Sequence, residues 1–265
     1  GNRLSLSGVL DNTGAILTLG SGSAIGLLTI ANGGAIIGGT VVDPGSGLSV
    51  PQNGALSGVT WQGTLNFANS GGVLAISNGL TVTGAGGAGP GVVNISGGGY
   101  QELDFRGSQT FDNATVNMNA GASYNPRLEM DIGGGYITTL TLGPNLTVTS
   151  TADGTQAYIE NDLYNYTALV TSAQITAAAH GGSFSINQTE GITNFGTISF
   201  SNGDAGGIDP GFNPFINSAG ALISVGSGTA LYIDTDAAGV ATPGMTNNGT
   251  ILLASGATLG LHGFY

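Results

Sequence analysis

The chain has no lysine and no cysteine, and only 7% of its 265 residues are charged. Without cysteine there is no disulfide, no thiol nucleophile and no Cys-ligated zinc. Three arginines, Arg3, Arg106 and Arg127, stand against fifteen acids, giving a net charge of −12. That balance excludes nucleic acid, whose phosphates demand several Lys or Arg contacts. It equally disfavours docking on an anionic membrane. No apolar run approaches the roughly twenty residues of a helical membrane span, so no membrane insertion is expected. His180 and His262 each sit beside glycine, with no partner spaced for zinc or for a catalytic triad. With charge so scarce, the surface must be built from Ser, Thr, Asn, Gln and Gly.

What the chain does have is glycine, 50 residues of it, within a sequence that is 40% hydrophobic. The glycines do not fall at every third position, which excludes collagen, and the apolar content is ample for a core. Apolar residues come in strands of three to five with polar residues alternating between them, as in Ile16-Leu17-Thr18-Leu19 and Ile223-Ser224-Val225. Alternation of that period buries one face and wets the other. One unit is written twice. Leu28-Thr29-Ile30-Ala31-Asn32-Gly33-Gly34-Ala35-Ile36 is answered by Leu48-Ser49-Val50-Pro51-Gln52-Asn53-Gly54-Ala55-Leu56, and the match continues through Gly38/Gly58, Thr40/Thr60 and Val41/Trp61. A period near twenty, made of short strands and Gly/Asn corners, describes a solenoid whose repeat cannot bury its own apolar face.

The expectation is an all-β solenoid of about 20–22 residues per coil with loop insertions, filling 1–265 as a single β-helix domain. The start at Gly1 without Met is expected of a mature product or a fragment of a larger protein. Leu169 to His180 contains Ala177-Ala178-Ala179, which suits a helix, but Val170, Ile175 and Thr176 favour strand. Strand is the better reading, with Gly196-Thr197-Ile198-Ser199-Phe200 as its counterpart and Gly181-Gly182 matched to Gly206-Gly207. Insertions interrupt the coil at 84–91, 119–136, 151–166 and 202–219.

Gly58-Val59-Thr60-Trp61-Gln62-Gly63-Thr64-Leu65-Asn66-Phe67 and Leu74-Ala75-Ile76-Ser77-Asn78-Gly79-Leu80-Thr81-Val82 resemble the repeats of bacterial β-strand-repeat surface proteins. These are similar to autotransporter passengers and filamentous-haemagglutinin-type adhesins. Thr193-Asn194-Phe195-Gly196-Thr197-Ile198 and Thr246-Asn247-Asn248-Gly249-Thr250-Ile251 extend the likeness. The resemblance implies a right-handed parallel β-helix, export to the bacterial cell surface or extracellular matrix, and adhesion or filament formation. Partners would be further coils of the same protein, glycans or cell-surface proteins. It transfers no catalytic residue, and neither a membrane barrel nor a secretion domain is recognisable.

Several candidate sites follow from residue type and spacing. Glu102/Asp104, Glu129/Asp131 and Asp234/Asp236 are spaced i, i+2, so each pair shares one strand face. Arg106 joins the first face and Arg127 the second. A polysaccharide-acting enzyme would need such carboxylates at a fixed separation. A solvated face on which arginine neutralises acids explains them more simply, so no enzyme is expected. No cofactor is expected either; calcium is the one ion these acids suit, at Asp209, Asp234 and Asp236. For binding, insertions held on a rigid coil are the natural place. Tyr158, Asn161, Asp162, Tyr164 and Tyr166 in one insertion, and Phe212 and Phe215 in a Pro-containing lobe, offer stacking rings and hydrogen bonds for glycan or protein contact.

Overall fold

The structure, a computed structural model, describes residues 2–45, 47–66, 72–96, 101–120, 125–131, 137–161, 166–234 and 244–262. Among the described residues every ladder between strands is parallel, and the one helical element is a single 3₁₀ turn at Ala85–Gly87. The chain is a β-solenoid.

From residue 101 onward each turn consists of three strands. A first ladder stacks β11 (Gln101–Arg106), β14 (Pro126–Asp131), β17 (Gln156–Asn161), β20 (Ser183–Asn187), β23 (Ala205–Asp209), β26 (Ala230–Asp234) and β29 (Thr258–His262). A second stacks β12 (Gln109–Phe111), β15 (Thr138–Leu142), β18 (Thr167–Thr171), β21 (Ile192–Asn194), β24 (Phe215–Asn217) and β27 (Met245–Asn247). The third runs from β10 (Gly91–Ile95) through β13 (Ala114–Met118), β16 (Thr147–Ser150), β19 (Gln174–Ala177), β22 (Thr197–Phe200) and β25 (Leu222–Val225) to β28 (Thr250–Leu253). The N-terminal coils comprise β1 (Asn2–Leu6) to β7 (Leu48–Ser49), followed by two long strands, β8 (Gly54–Asn66) and β9 (Gly72–Thr83), that pass through a corner without breaking.

Stacking places like on like. The first ladder carries the inward column Leu74, Leu103, Leu128, Ile159, Ile186, Ile208, Ile233 and Leu261. Leu65, Val93, Val116, Val148, Ile175, Ile198, Ile223 and Ile251 form the matching column of the third. Each fully buried aliphatic contributes roughly 1.5–3 kcal/mol, while the backbone groups it leaves open are satisfied by the next rung at about 4.8 Å. Corners turn on residues that accept a left-handed backbone. Asn32, Asn78, Asn113 and Asn202 have φ between 54° and 60°, a conformation Asn tolerates better than other side chains. At Gly39 a Cβ would lie 1.9 Å from the Asn12 carbonyl oxygen, so only glycine fits.

The written-twice unit is in register residue for residue: Leu28 faces Leu48, Ile36 faces Leu56 and Val41 faces Trp61. Ile186 to Ile208 keeps the expected length, a step of 22 residues. Other steps are longer, 31 residues from Leu128 to Ile159 and 28 from Ile233 to Leu261, with the excess placed between strands. The ambiguous stretch 169–180 is strand: it completes β18 and supplies β19, with Ile175 opposite Ile198.

Two expectations fail here. Phe215 belongs to no surface lobe. It is fully buried in β24, between Ile192 and Met245 on neighbouring rungs, because the strand's phase turns it inward. The glycine match is also shifted: Gly206 faces Phe184, not Gly181.

Candidate functional site

The outward face of the first ladder concentrates the charge of a charge-poor chain. Inward-pointing Leu103 and Phe105 fix the phase of β11, so Glu102, Asp104 and Arg106 point out; Leu128 and Met130 do the same for Arg127, Glu129 and Asp131 on β14. Stacking then pairs Glu102 with Arg127, Asp104 with Glu129 and Arg106 with Asp131, and sets Glu160 of β17 against Glu129. Five carboxylates and two guanidinium groups thus share three adjacent rungs.

Three acids of this face are buried rather than solvated as expected, while Arg106 stays exposed and Asp131 half-buried. Glu102 is 6% exposed, Asp104 3% and Glu129 6%. A cavity of about 160 Å³ opens among Asn53, Val73, Glu102, Asp104, Arg106, Glu129 and Asp131. Arg106 Nε donates to Asp104 Oδ2 at 2.8 Å and lies 3.9 Å from Asp131 Oδ2. Arg127 is ion-paired to Glu160, with its guanidinium 5.0 Å from the centre of the Tyr158 ring. Burial pushes the Asp104 carboxyl up to about 6. Arg106 opposes that rise by hydrogen bond and charge, while the charges of Glu102 and Asp131 add to it.

The other sequence candidates scatter. Tyr158 and Asn161 lie on β17, at the border of this cluster. Tyr166 and Phe212 are each 53% exposed and mark one corner two rungs apart, with Thr189 between them: Thr189 Oγ1 accepts from the Thr167 amide at 2.9 Å and its carbonyl accepts from Phe212 at 3.0 Å. Asp162, Tyr164 and Asp236 lie outside the described residues. Asp209 accepts from the Gly211 amide at 2.9 Å, and partial burial raises its carboxyl, with Asp234 adding to the rise. Among the described residues, no three of His, Cys, Asp or Glu converge closely enough to hold a metal ion, so the calcium expectation gains no support there.

Two surface features escaped the sequence reading. Glu160 is the first; aligning Ile159-Glu160 with Leu128-Glu129 would have found it, but a 31-residue step hides that match. Phe195, 53% exposed, is the second. Its place just after β21 and before a glycine signals a corner. No protein-family model, no curated protein and no solved structure matches the chain.

Proposed function

We propose that the chain is a structural and adhesive β-solenoid of the bacterial cell surface or extracellular matrix, joined through its terminal rungs to further coils. One observation carries this reading. The core columns run buried through the stack and emerge at both ends. Leu4, Leu6, Leu10 and Leu17 are exposed or half-buried, whereas their neighbours one rung in, Leu28, Ile30, Ile36 and Val41, are completely buried. At the other end Ile251, Leu253, Leu259 and Leu261 are uncovered, above the buried Ile223, Val225, Leu231 and Ile233. Each terminal rung also presents a row of open backbone donors and acceptors, a template for another strand. A cavity of about 610 Å³ lined by residues 16–19 and 21–25 lies at the N-terminal end. The side wall, poor in charge and bearing Tyr166, Phe195 and Phe212, suits adhesion.

Light scattering of the full chain over a hundredfold range of concentration tests the joining. Mass should rise with concentration, and Leu253→Asp with Leu261→Asp should abolish the rise while leaving the strand signal in circular dichroism intact. A chain that stays monomeric at every concentration overturns the reading. Adhesion is checked with coated beads: capture by cells or matrix should fall when Tyr166 and Phe212 are replaced by Ala.

A further inference from the structure

Further along the first ladder the outward face changes character. The column that begins with Glu102 and Arg127 continues as Tyr158, Ser185, Gly207, Tyr232 and Gly260 on successive rungs. Two tyrosines therefore stand either side of two small residues. Tyr158 inclines towards the preceding rung, where the Arg127 guanidinium lies 5.0 Å from its ring centre. Tyr232 inclines the other way. Its ring covers Gly260, where a Cβ would stand 2.4 Å from it, and its centre is 5.6 Å from that of the His262 ring. Gly207 has room above it, since a Cβ there would meet only Ser185, at 3.3 Å. The result is a trough three rung steps long, about 14 Å between the two tyrosine strands.

The chemistry of the trough selects its occupant. The floor strands, β20 and β23, turn out Ser183, Ser185 and Asn187 beside Ala205, Gly207 and Asp209. Among the described residues neither Ser185 nor Asn187 spends its side chain on a hydrogen bond within the chain. Asp209 is exposed, with its carboxylate oriented by the Gly211 amide at 2.9 Å, and Tyr232 is 45% exposed. Aromatic walls over a floor of hydroxyl, amide and carboxylate groups suit a ligand with apolar faces and polar edges. A pyranose ring is such a body: its C–H faces stack on tyrosine while its rim hydroxyls donate to a carboxylate or amide oxygen. Asp209 is the one charged residue of the two floor strands, so an anionic sugar would meet repulsion and no cation. A peptide strand finds no open edge here, because both edges of each floor strand are already bonded to neighbouring rungs.

We infer that this trough binds a neutral oligosaccharide, laid along the solenoid axis with sugar rings against Tyr158 and Tyr232 and hydroxyls on Ser185, Asn187 and Asp209. The inference rests on the adhesive half of the proposed function and gives it a ligand class. The trough belongs to the side wall rather than to a terminal rung, so it stays open when coils join.

The test titrates the full chain with cellotetraose and with chitotetraose, by calorimetry and by NMR of the tyrosine rings. One saturable site is expected, with the Tyr158 and Tyr232 ring resonances shifting together. The tighter of the two tetrasaccharides identifies the sugar as plain or N-acetylated. The tetrasaccharide of polygalacturonate, which is anionic, should not bind. Tyr232→Ala removes one stacking wall and should weaken affinity about five- to thirtyfold. Gly207→Tyr fills the floor with a ring and should abolish binding. Its backbone is outside the left-handed region and its side chain would point outward from a strand, so that variant should fold with its circular dichroism unchanged. No shift with either neutral tetrasaccharide, undiminished binding in Tyr232→Ala or Gly207→Tyr, or equal binding of the anionic one would each overturn the inference. Bead capture by cells, read through Tyr166 and Phe212 at another corner, separates the two claims. Capture without tetrasaccharide binding overturns the inference and leaves adhesion standing; tetrasaccharide binding without capture does the reverse.

Discussion

Gly206 is the residue whose replacement tests the packing most sharply, because two ordinary effects oppose each other there. It lies on β23 at an inward position, between Phe184 on one neighbouring rung and Leu231 on the other. Its backbone is not in the left-handed region, so alanine would bring no conformational strain. On backbone grounds alone Gly206→Ala should stabilise by about 0.4–1 kcal/mol, by restricting the unfolded chain. The space decides otherwise. An added Cβ would stand 2.6 Å from Phe200 Cδ1, 2.7 Å from Cε1 and 3.0 Å from Leu231 Cδ1. The Phe200 ring cannot simply yield, since it packs edge-on against Phe184 with centroids 6.4 Å apart. Overpacking of this kind costs about 1–3 kcal/mol, leaving a net loss of about 1–2 kcal/mol. In a solenoid the loss should stay local. Amide exchange in β20, β23 and β26 should accelerate about five- to thirtyfold, whereas the fluorescence of the single tryptophan, Trp61, buried among the N-terminal coils, should report an unchanged transition. In a Phe200→Leu background the same alanine should cost nothing, a coupling of about 1–2 kcal/mol. A Gly206→Ala chain as stable as the parent would refute the reasoning, because the clash would then be absent.

Other consequences are measurable in the same way. Asn194, Asn217 and Asn247 form a ladder, with amide-to-carbonyl bonds of 2.9 and 2.7 Å. Asn217→Ala leaves the buried Asn194 amide without its acceptor and should cost about 1–3 kcal/mol in chemical denaturation; replacement without loss would contradict the ladder. Burial raises the carboxyls of Asp104 and Asp204 from 3.8 to about 6. The folded state therefore holds protons that the unfolded state releases between those values, so the contribution of these two groups to stability is full below about pH 4 and is lost as pH rises through 6. The penalty above pH 6 is at most about 3 kcal/mol per group. Melting temperature should be higher at pH 4.5 than at pH 7.5, and Asp104→Asn should remove part of that difference; a melting temperature rising with pH would refute the assignment. Loss of one arginine partner should be costlier at the cluster than at the surface: Arg127→Ala should destabilise by roughly 1–3 kcal/mol, because it removes the guanidinium paired with the partly buried Glu160, and Arg3→Ala, on the exposed first strand, should change little.

The solenoid was legible because its chemistry repeats without interruption where the unit is short. Leu28 through Val41 could be laid on Leu48 through Trp61 by eye, and the rungs obey that alignment. Beyond it, insertions of variable length detach sequence spacing from spatial register. The composition of Gly181-Gly182 suggests Gly206-Gly207 as its counterpart, but Gly206 is a core residue made small by the Phe200 ring. The Pro-containing neighbourhood of Phe215 says nothing about strand phase; the partners that bury it lie 23 residues before and 30 after. For the charged face, i, i+2 spacing did give the correct common face of Glu102, Asp104 and Arg106. It gave no sign of burial, which comes from what surrounds a rung rather than from the rung itself.

Electron microscopy of the purified full chain bears most directly on the claim that the uncovered ends of the core join further coils. The account predicts rods that lengthen end to end as concentration rises while their width stays that of one solenoid, and that remain single in the Leu253→Asp, Leu261→Asp chain. Uniform single rods at all concentrations, or contacts made side to side, would contradict it.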